Sequence, residues 1–344
     1  MKETVSRWAG WVLERTGFLR ALLRFTPYWS LRRREGTLAF PFVERRVEQN
    51  FLILTYHQVN DDGDAFFEGV PTKTFARQME VIQEYFNVLP LDELVERAAG
   101  NDVPPRGIAI TFDDGYRDNY VNAFPVLKRH GMPATVFLVT GVLGNHSPIW
   151  HDRVFGIFRQ TQCESAFLEG KQRPMRNIDE KRGVMNLVLA RLRGLDPFER
   201  DSEIERLGQA LGVPEPRHNP KLTWDEVREM TASGIAFGAH TVTHPILTKI
   251  PLGQAVQEIV ASKEALEREV KRPVTLFAYP NGRANDFSAP IKRAVREAGF
   301  LCAVTTLWGA NDRRTDFFEL RRIGLWGDDP HVSALRLGWY GLSN

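Results

Sequence analysis

Short β-branched runs alternate with amphipathic stretches along most of this chain, and that alternation limits the fold more than any other feature. Runs at Phe51–Tyr56, at Gly107–Phe112 and at residues 134–139, 235–239, 274–278 and 301–305 read as buried strands. Stretches at residues 74–85, 120–130, 251–270 and 289–298 carry apolar side chains at helical spacing. Such an order points to parallel β-α units, closed as a barrel or open as a sheet. The polar residues favour the barrel. His57 follows the first run, Asp113-Asp114 follows the second, His240 ends the fourth, and Tyr279-Pro280-Asn281-Gly282 ends the fifth. Loops at the C-terminal ends of barrel strands converge on one mouth, where residues distant in sequence can meet.

The remaining sequence sets outer bounds. A chain of 344 residues with 43% hydrophobic content can bury a full core, as one large α/β domain or two smaller ones. A net charge of +2 with no basic stripe gives no reason to expect a nucleic-acid partner. Cys163 and Cys302 lack a CxxC partner and read as small buried hydrophobes. No apolar run is long enough to cross a membrane, and the start of the chain lacks the order of a secretory signal. The expected compartment is therefore cytoplasmic.

Residues 1–48 read as an N-terminal amphipathic helix and linker, ahead of an expected barrel domain over 49–344. Trp8, Trp11, Phe18, Leu22 and Trp29 share one face of that helix, and arginines occupy much of the other. This fits a helix lying in a membrane interface, so residues 1–34 are a candidate contact with the inner membrane surface. A helix that closes the bottom of the domain fits the same pattern. Residues 145–219 break the alternation, with helical periodicity and many charges at 179–193 and 197–211. They read as a helical insertion that either shapes a substrate groove or covers one side. Its start, Pro148-Ile149-Trp150-His151-Asp152, emerges just after a strand end and is its best candidate for touching substrate.

The chemistry rests on a three-residue set. Asp114 with His240 and His244 supplies one carboxylate and two imidazoles, which leaves a coordination position open for water, as in catalytic zinc sites. Asp113 then sits beside that water as a base, kept ionised by the metal's charge. Taken alone, Asp113-Asp114-Gly115 is an ordinary turn sequence, and a lone His-x3-His is weak. Each behind its own strand, they are far more specific together.

Thr111-Phe112-Asp113-Asp114-Gly115 and His240-Thr241-Val242-Thr243-His244-Pro245 resemble the first two signature motifs of the polysaccharide deacetylases, the NodB-homology fold of carbohydrate esterase family 4. Leu54-Thr55-Tyr56-His57-Gln58-Val59 and Phe277-Ala278-Tyr279-Pro280-Asn281-Gly282 look like the subgroup found with bacterial exopolysaccharide genes. The resemblance covers residues 51–144 and 219–328. It implies a distorted (β/α)7 barrel, a divalent metal with zinc as first choice, and removal of N-acetyl groups from amino sugars. By motif, it makes Asp113 the general base and Asp114, His240 and His244 the metal ligands. The backbone N–H of Asn281 would help hold the oxyanion.

Two departures stand out. Many members carry an arginine two residues before the motif's proline, where it orients the base, and here that position is Ala278. Many also carry a Leu-x-His whose histidine protonates the leaving amine, and this chain has Leu320-Arg321-Arg322-Ile323-Gly324 and then His331. The general acid is therefore open, with His57 the first candidate and His331 the second. Three functions follow, led by a metal-dependent N-deacetylase of a cell-surface polysaccharide or its precursor. A hydrolase of another linear or cyclic amide and a non-catalytic carbohydrate-binding barrel are the alternatives. Trp150, Tyr279 and Trp308 are candidate sugar-stacking residues.

Overall fold

A computed structural model describes residues 50–144, 148–214 and 220–325. Residues 1–34, where an amphipathic helix is expected from sequence, lie outside these, as does His331. In chain order the elements are β1 (Phe51–Tyr56), α1 (Thr72–Tyr85), β2 (Asn87–Val88), α2 (Leu91–Ala99), β3 (Gly107–Phe112), α3 (Phe124–His130) and β4 (Thr135–Leu138). Then come α4 (Trp150–Gln160), β5 (Ser165–Leu168), β6 (Lys171–Pro174), α5 (Ile178–Leu192), α6 (Pro197–Ala210), α7 (Trp224–Ala232) and β7 (Ala236–Ala239). The last are α8 (Leu252–Val270), β8 (Leu276–Ala278), α9 (Ala289–Glu297), β9 (Cys302–Trp308) and β10 (Leu320–Gly324).

Seven parallel strands, in the order β1-β10-β9-β8-β7-β4-β3, form a closed ring, because β3 pairs back along the whole of β1. This is the (β/α)7 barrel implied by the sequence. Its distortion has a visible source: the register between β9 and β10 shifts between Leu320 and Arg322. The short β2 pairs only with the start of β3.

Alternation along the strands sorts the core into two sets. Phe51, Ile53, Ala109, Phe137, Leu276, Val304 and Leu320 form one cluster, and α2 adds Leu91, Leu94, Val95 and Ala98 to it. The intervening residues Leu52, Leu54, Ile108, Ile110 and Val136 join a larger cluster with the buried faces of α1 and α8. Residues one apart therefore serve the barrel's inside and its helical coat in turn, as the period of two requires.

The six runs read as strands match β1, β3, β4, β7, β8 and β9 to within three residues. The segment 145–219 differs from its sequence pattern in one respect. Beside α4, α5 and α6 it holds the hairpin β5-β6, turned by Glu169 and Gly170, both left-handed (φ 53° and 74°) as a two-residue hairpin turn requires. Val154, Phe158, Met185, Leu189 and Ile204 give this segment a core of its own.

Gly238 on β7 is where the barrel tolerates no side chain. A Cβ there would lie 2.5 Å from two ring carbons of Phe137 and 2.9 Å from the Leu276 carbonyl oxygen. Gly238→Ala is expected to lower stability by about 1–3 kcal/mol. Urea denaturation checks this, and an unchanged midpoint contradicts the packing account.

Candidate active site

The loops after β1, β3, β7 and β8 bring their polar residues to one pocket, lined by His57, Asp113, Asp114, His240, His244 and Asn281. All six sequence-derived candidates within the described residues therefore meet. The backbone is bent to achieve this. Of the eight described non-glycine residues with positive φ, four belong to the site motifs: Asp114 (69°), Thr241 (67°), His244 (59°) and Asn281 (61°). Each such residue costs about 1–3 kcal/mol and persists only where its surroundings hold it.

For the His240–His244 loop the holding group is Glu258 of α8. Its Oε2 accepts the backbone N–H of Val242 at 2.7 Å and of Thr243 at 2.9 Å, and its Oε1 accepts the Thr243 hydroxyl at 2.7 Å. The Thr241 hydroxyl accepts the His244 N–H at 3.0 Å, closing the turn from within. Glu258 was not legible as a site residue, because in sequence it is one acidic position on a long charged helix.

Asp113 is buried and held in a fork. Arg322 donates from Nη1 to Asp113 Oδ1 at 2.7 Å and from Nη2 to Oδ2 at 2.6 Å, with its own side chain wholly buried. The same guanidinium donates through Nε to the Thr305 carbonyl at 2.7 Å and through Nη1 to the Thr111 hydroxyl at 3.2 Å. Burial alone would raise the Asp113 carboxyl. The charge and hydrogen bonds of Arg322, with the charges of His240 and His57, outweigh burial and hold it below its ordinary value. The departure at Ala278 is thus made good from β10: an arginine does orient Asp113, from another strand.

Asp114, His240 and His244 form a compact cluster that could hold a metal ion. Asp114 Oδ1 lies 3.5 Å from His240 Nε2 and 3.4 Å from His244 Nε2. Donors about 2.0–2.2 Å from one tetrahedral ion sit about 3.3–3.6 Å apart, so the spacing fits. Asp114 Oδ1 is buried and has no hydrogen-bond partner, as an oxygen kept for a metal would be. His240 Nδ1 donates to the Ala278 carbonyl at 2.7 Å, which leaves Nε2 as the free lone pair. Burial holds the His244 imidazole well below its ordinary value, against the attraction of Asp114, so it is neutral, the form that ligates metal. Burial would raise the Asp114 carboxyl, but the surrounding imidazoles of His151, His240 and His244 keep it well below its ordinary value.

His57 Nε2 stands 4.0 Å from Asp113 Oδ2, and its side chain is one quarter exposed to the pocket. Asn119, in the π-helical turn before α3, donates to the His57 carbonyl at 2.8 Å and fixes that loop. Phe67 packs edge-on against the imidazole and stacks on Phe155. Asn281 donates through its side chain to Asp286. Its backbone N–H is spent on no acceptor among the described residues, as an oxyanion donor requires. Of the aromatic candidates, Trp150 and Tyr279 line the pocket but are almost fully buried, and only Trp308 is substantially exposed.

His151 was not read as a site residue of its own. His151, on the first turn of α4, places Nε2 3.4 Å from Asp114 Oδ2. Beneath it, Tyr116 donates to Asp152 Oδ1 at 2.6 Å, and Lys221 pairs with Asp152 Oδ2 at 2.9 Å. The only sequence signal was its place in the segment singled out as a substrate contact.

Comparison with known proteins agrees with this geometry. The family profile described as polysaccharide deacetylase matches residues 100–303. YxkH of Bacillus subtilis (strain 168), provisionally classed as a polysaccharide deacetylase, is 23% identical over 290 residues, which are 84% of this chain and 75% of that protein. The poly-beta-1,6-N-acetyl-D-glucosamine N-deacetylase of Staphylococcus epidermidis is 23% identical over 190 residues, 53% of this chain and 64% of that protein, so under two thirds of its length is matched. In fold, the deacetylase PplD of Streptococcus pyogenes, in complex with acetate, superposes with a TM-score of 0.59 at 19% identity, over 84% of this chain and 98% of that one. IcaB of Ammonifex degensii superposes with a TM-score of 0.56 at 18% identity, over 86% and 98%. The profile covers more than half of the chain, and the chain belongs to the polysaccharide deacetylase family.

Proposed function

We propose that the chain is a metal-dependent N-deacetylase of N-acetylglucosamine-type sugars, in a cell-surface polysaccharide or its precursor, in the cytoplasm or at the inner membrane surface. One observation carries this reading: a carboxylate held in a buried arginine fork, Asp113, stands beside a carboxylate and two imidazoles spaced for one ion. The name of the Staphylococcus epidermidis relative supports the sugar class.

When bound at Asp114, His240 and His244, a divalent metal supplies Lewis-acid polarisation of the acetamide carbonyl and lowers the pKa of water. Asp113 takes a proton from the attacking water as its oxygen bonds to the carbonyl carbon. The Asn281 N–H donates to the oxygen on which charge builds. The carbon–nitrogen bond then breaks, acetate forms, and the leaving nitrogen takes a proton from His57. Burial lowers the His57 imidazole against the pull of Asp113 and Asp114, so it rests neutral at pH 7. Negative charge on the tetrahedral oxygen favours its protonated form, and the proton passes from Asp113 through one water, since 4.0 Å is too long for direct transfer.

Two outcomes are expected. Asp113→Asn removes the base and spares the ligands, so acetate release from N-acetylglucosamine oligomers should fall about 10²–10⁴-fold. Metal content by mass spectrometry should be retained, and substantial residual turnover would remove Asp113 from the mechanism. The second concerns pH. The folded Asp113 value lies below the unfolded one, so the Arg322 pair adds stability above about pH 4 that is lost as pH falls through the folded value. Arg322→Met leaves burial unopposed by the guanidinium and raises the carboxyl. The acid limb of the kcat/KM profile should move to higher pH, with a stability loss at pH 7 of about 3–5 kcal/mol. Arg322→Lys, which keeps the charge without the fork, should lie between, and an acid limb that does not move in either variant contradicts the assignment.

A further inference from the structure

The pocket floor is used by the chemistry above, but two cations at its wall are not. Arg193, the first residue beyond α5, and Arg283, in the loop after β8, line the same pocket as Asp114 and His244. Arg193 comes from the helical segment and Arg283 from the barrel, so the pair spans the pocket's two walls. No side-chain hydrogen bond or ion pair holds either guanidinium among the described residues, and the buried Nε of Arg193 has no acceptor. Several other arginines are matched by a carboxylate: Arg117 with Glu226, Arg153 with Asp201, Arg159 with Asp64 and Arg228 with Glu269.

The Asp286 charge acts on Arg193, but its Oδ2 already carries two hydrogen bonds, from the Asn281 side chain and the Arg283 backbone N–H. Burial, and next the like charge of Arg283, pull the Arg193 guanidinium below its ordinary value, and Asp286 offsets only part of this. Two unmatched cations at the wall of a partly apolar cleft attract an anionic group that enters beside them. A guanidinium's planar fork suits a carboxylate or phosphate, gripped through two parallel hydrogen bonds. A neutral amino-sugar homopolymer offers only hydroxyls and acetamides, which leave that repulsion unrelieved.

We propose that Arg193 and Arg283 form an anion subsite, and that the substrate is an amino-sugar glycan bearing a carboxylate or phosphate close to the sugar that loses its acetyl group. The identity of the reacting sugar rests on the deacetylase reading, whereas the subsite itself does not.

The test compares three probes on the zinc-loaded full chain: a neutral N-acetylglucosamine hexamer, a hyaluronan octasaccharide with alternating glucuronates, and UDP-N-acetylglucosamine with its diphosphate. Binding is followed by calorimetry and turnover by acetate release. At least one anionic probe should bind about tenfold or more tighter than the neutral hexamer. That preference should vanish in Arg193→Gln/Arg283→Gln and fade at about 0.5 M salt. Arg193→Lys/Arg283→Lys, which keeps charge and loses the forks, should retain part of it. Where an anionic probe is turned over, its kcat/KM relative to the hexamer should fall about tenfold in the glutamine variant. Which anion wins separates a uronate-bearing polymer from a diphosphate-linked precursor. Equal binding of all three probes, or a preference that survives the glutamine variant, overturns the subsite. Anion binding lost in that variant, with no acetate from any probe, would keep the subsite and remove the deacetylase reading.

Discussion

The buried pair between Arg322 and Asp113 is the contact on which the rest of the site depends. A guanidinium inside a barrel is costly unless every donor finds an acceptor. Arg322 places a hydrogen bond from each of its three nitrogens, on both Asp113 oxygens, the Thr305 carbonyl and the Thr111 hydroxyl. These partners sit on or just beyond β3 and on β9, so one side chain of β10 ties three strands together where the ring closes. The contacts that close the barrel also aim the base. Asp113 stays ionised despite its burial, and its neighbour Asp114 is free to face the two histidines.

The site combines a strained floor with an added wall. Left-handed backbone at Asp114, Thr241, His244 and Asn281 turns adjacent residues toward one point, and Glu258 and the strand ends hold it there. The helical segment contributes Trp150, His151 and Arg193 to the pocket. His151 reaches the Asp114 oxygen on the far side from His240 and His244. Chemistry resides in the barrel loops, while much of what meets a bound glycan arrives from α4 and α5.

Most of the barrel could be read from sequence because its strands are apolar runs at known spacing, and the site because its motifs end those strands. β10 was missed for a physical reason. In Leu320-Arg321-Arg322-Ile323-Gly324 an arginine fills an inward position, and a charge there cancels the apolar signal by which buried strands are recognised. The same substitution concealed the partner of Asp113, since Ala278 suggested that no arginine oriented it. His151 and Glu258 were unreadable because their roles depend on which loop each helix meets, and no local pattern records that. The candidate membrane helix and His331 lie outside the described residues.

The most direct test of the account is to titrate zinc into chelator-stripped protein while measuring acetate released from N-acetylglucosamine oligomers. The account predicts almost no release without metal, then a rise that saturates at one ion per chain. Equal release from stripped and loaded protein, or none with zinc bound at Asp114, His240 and His244, would contradict it.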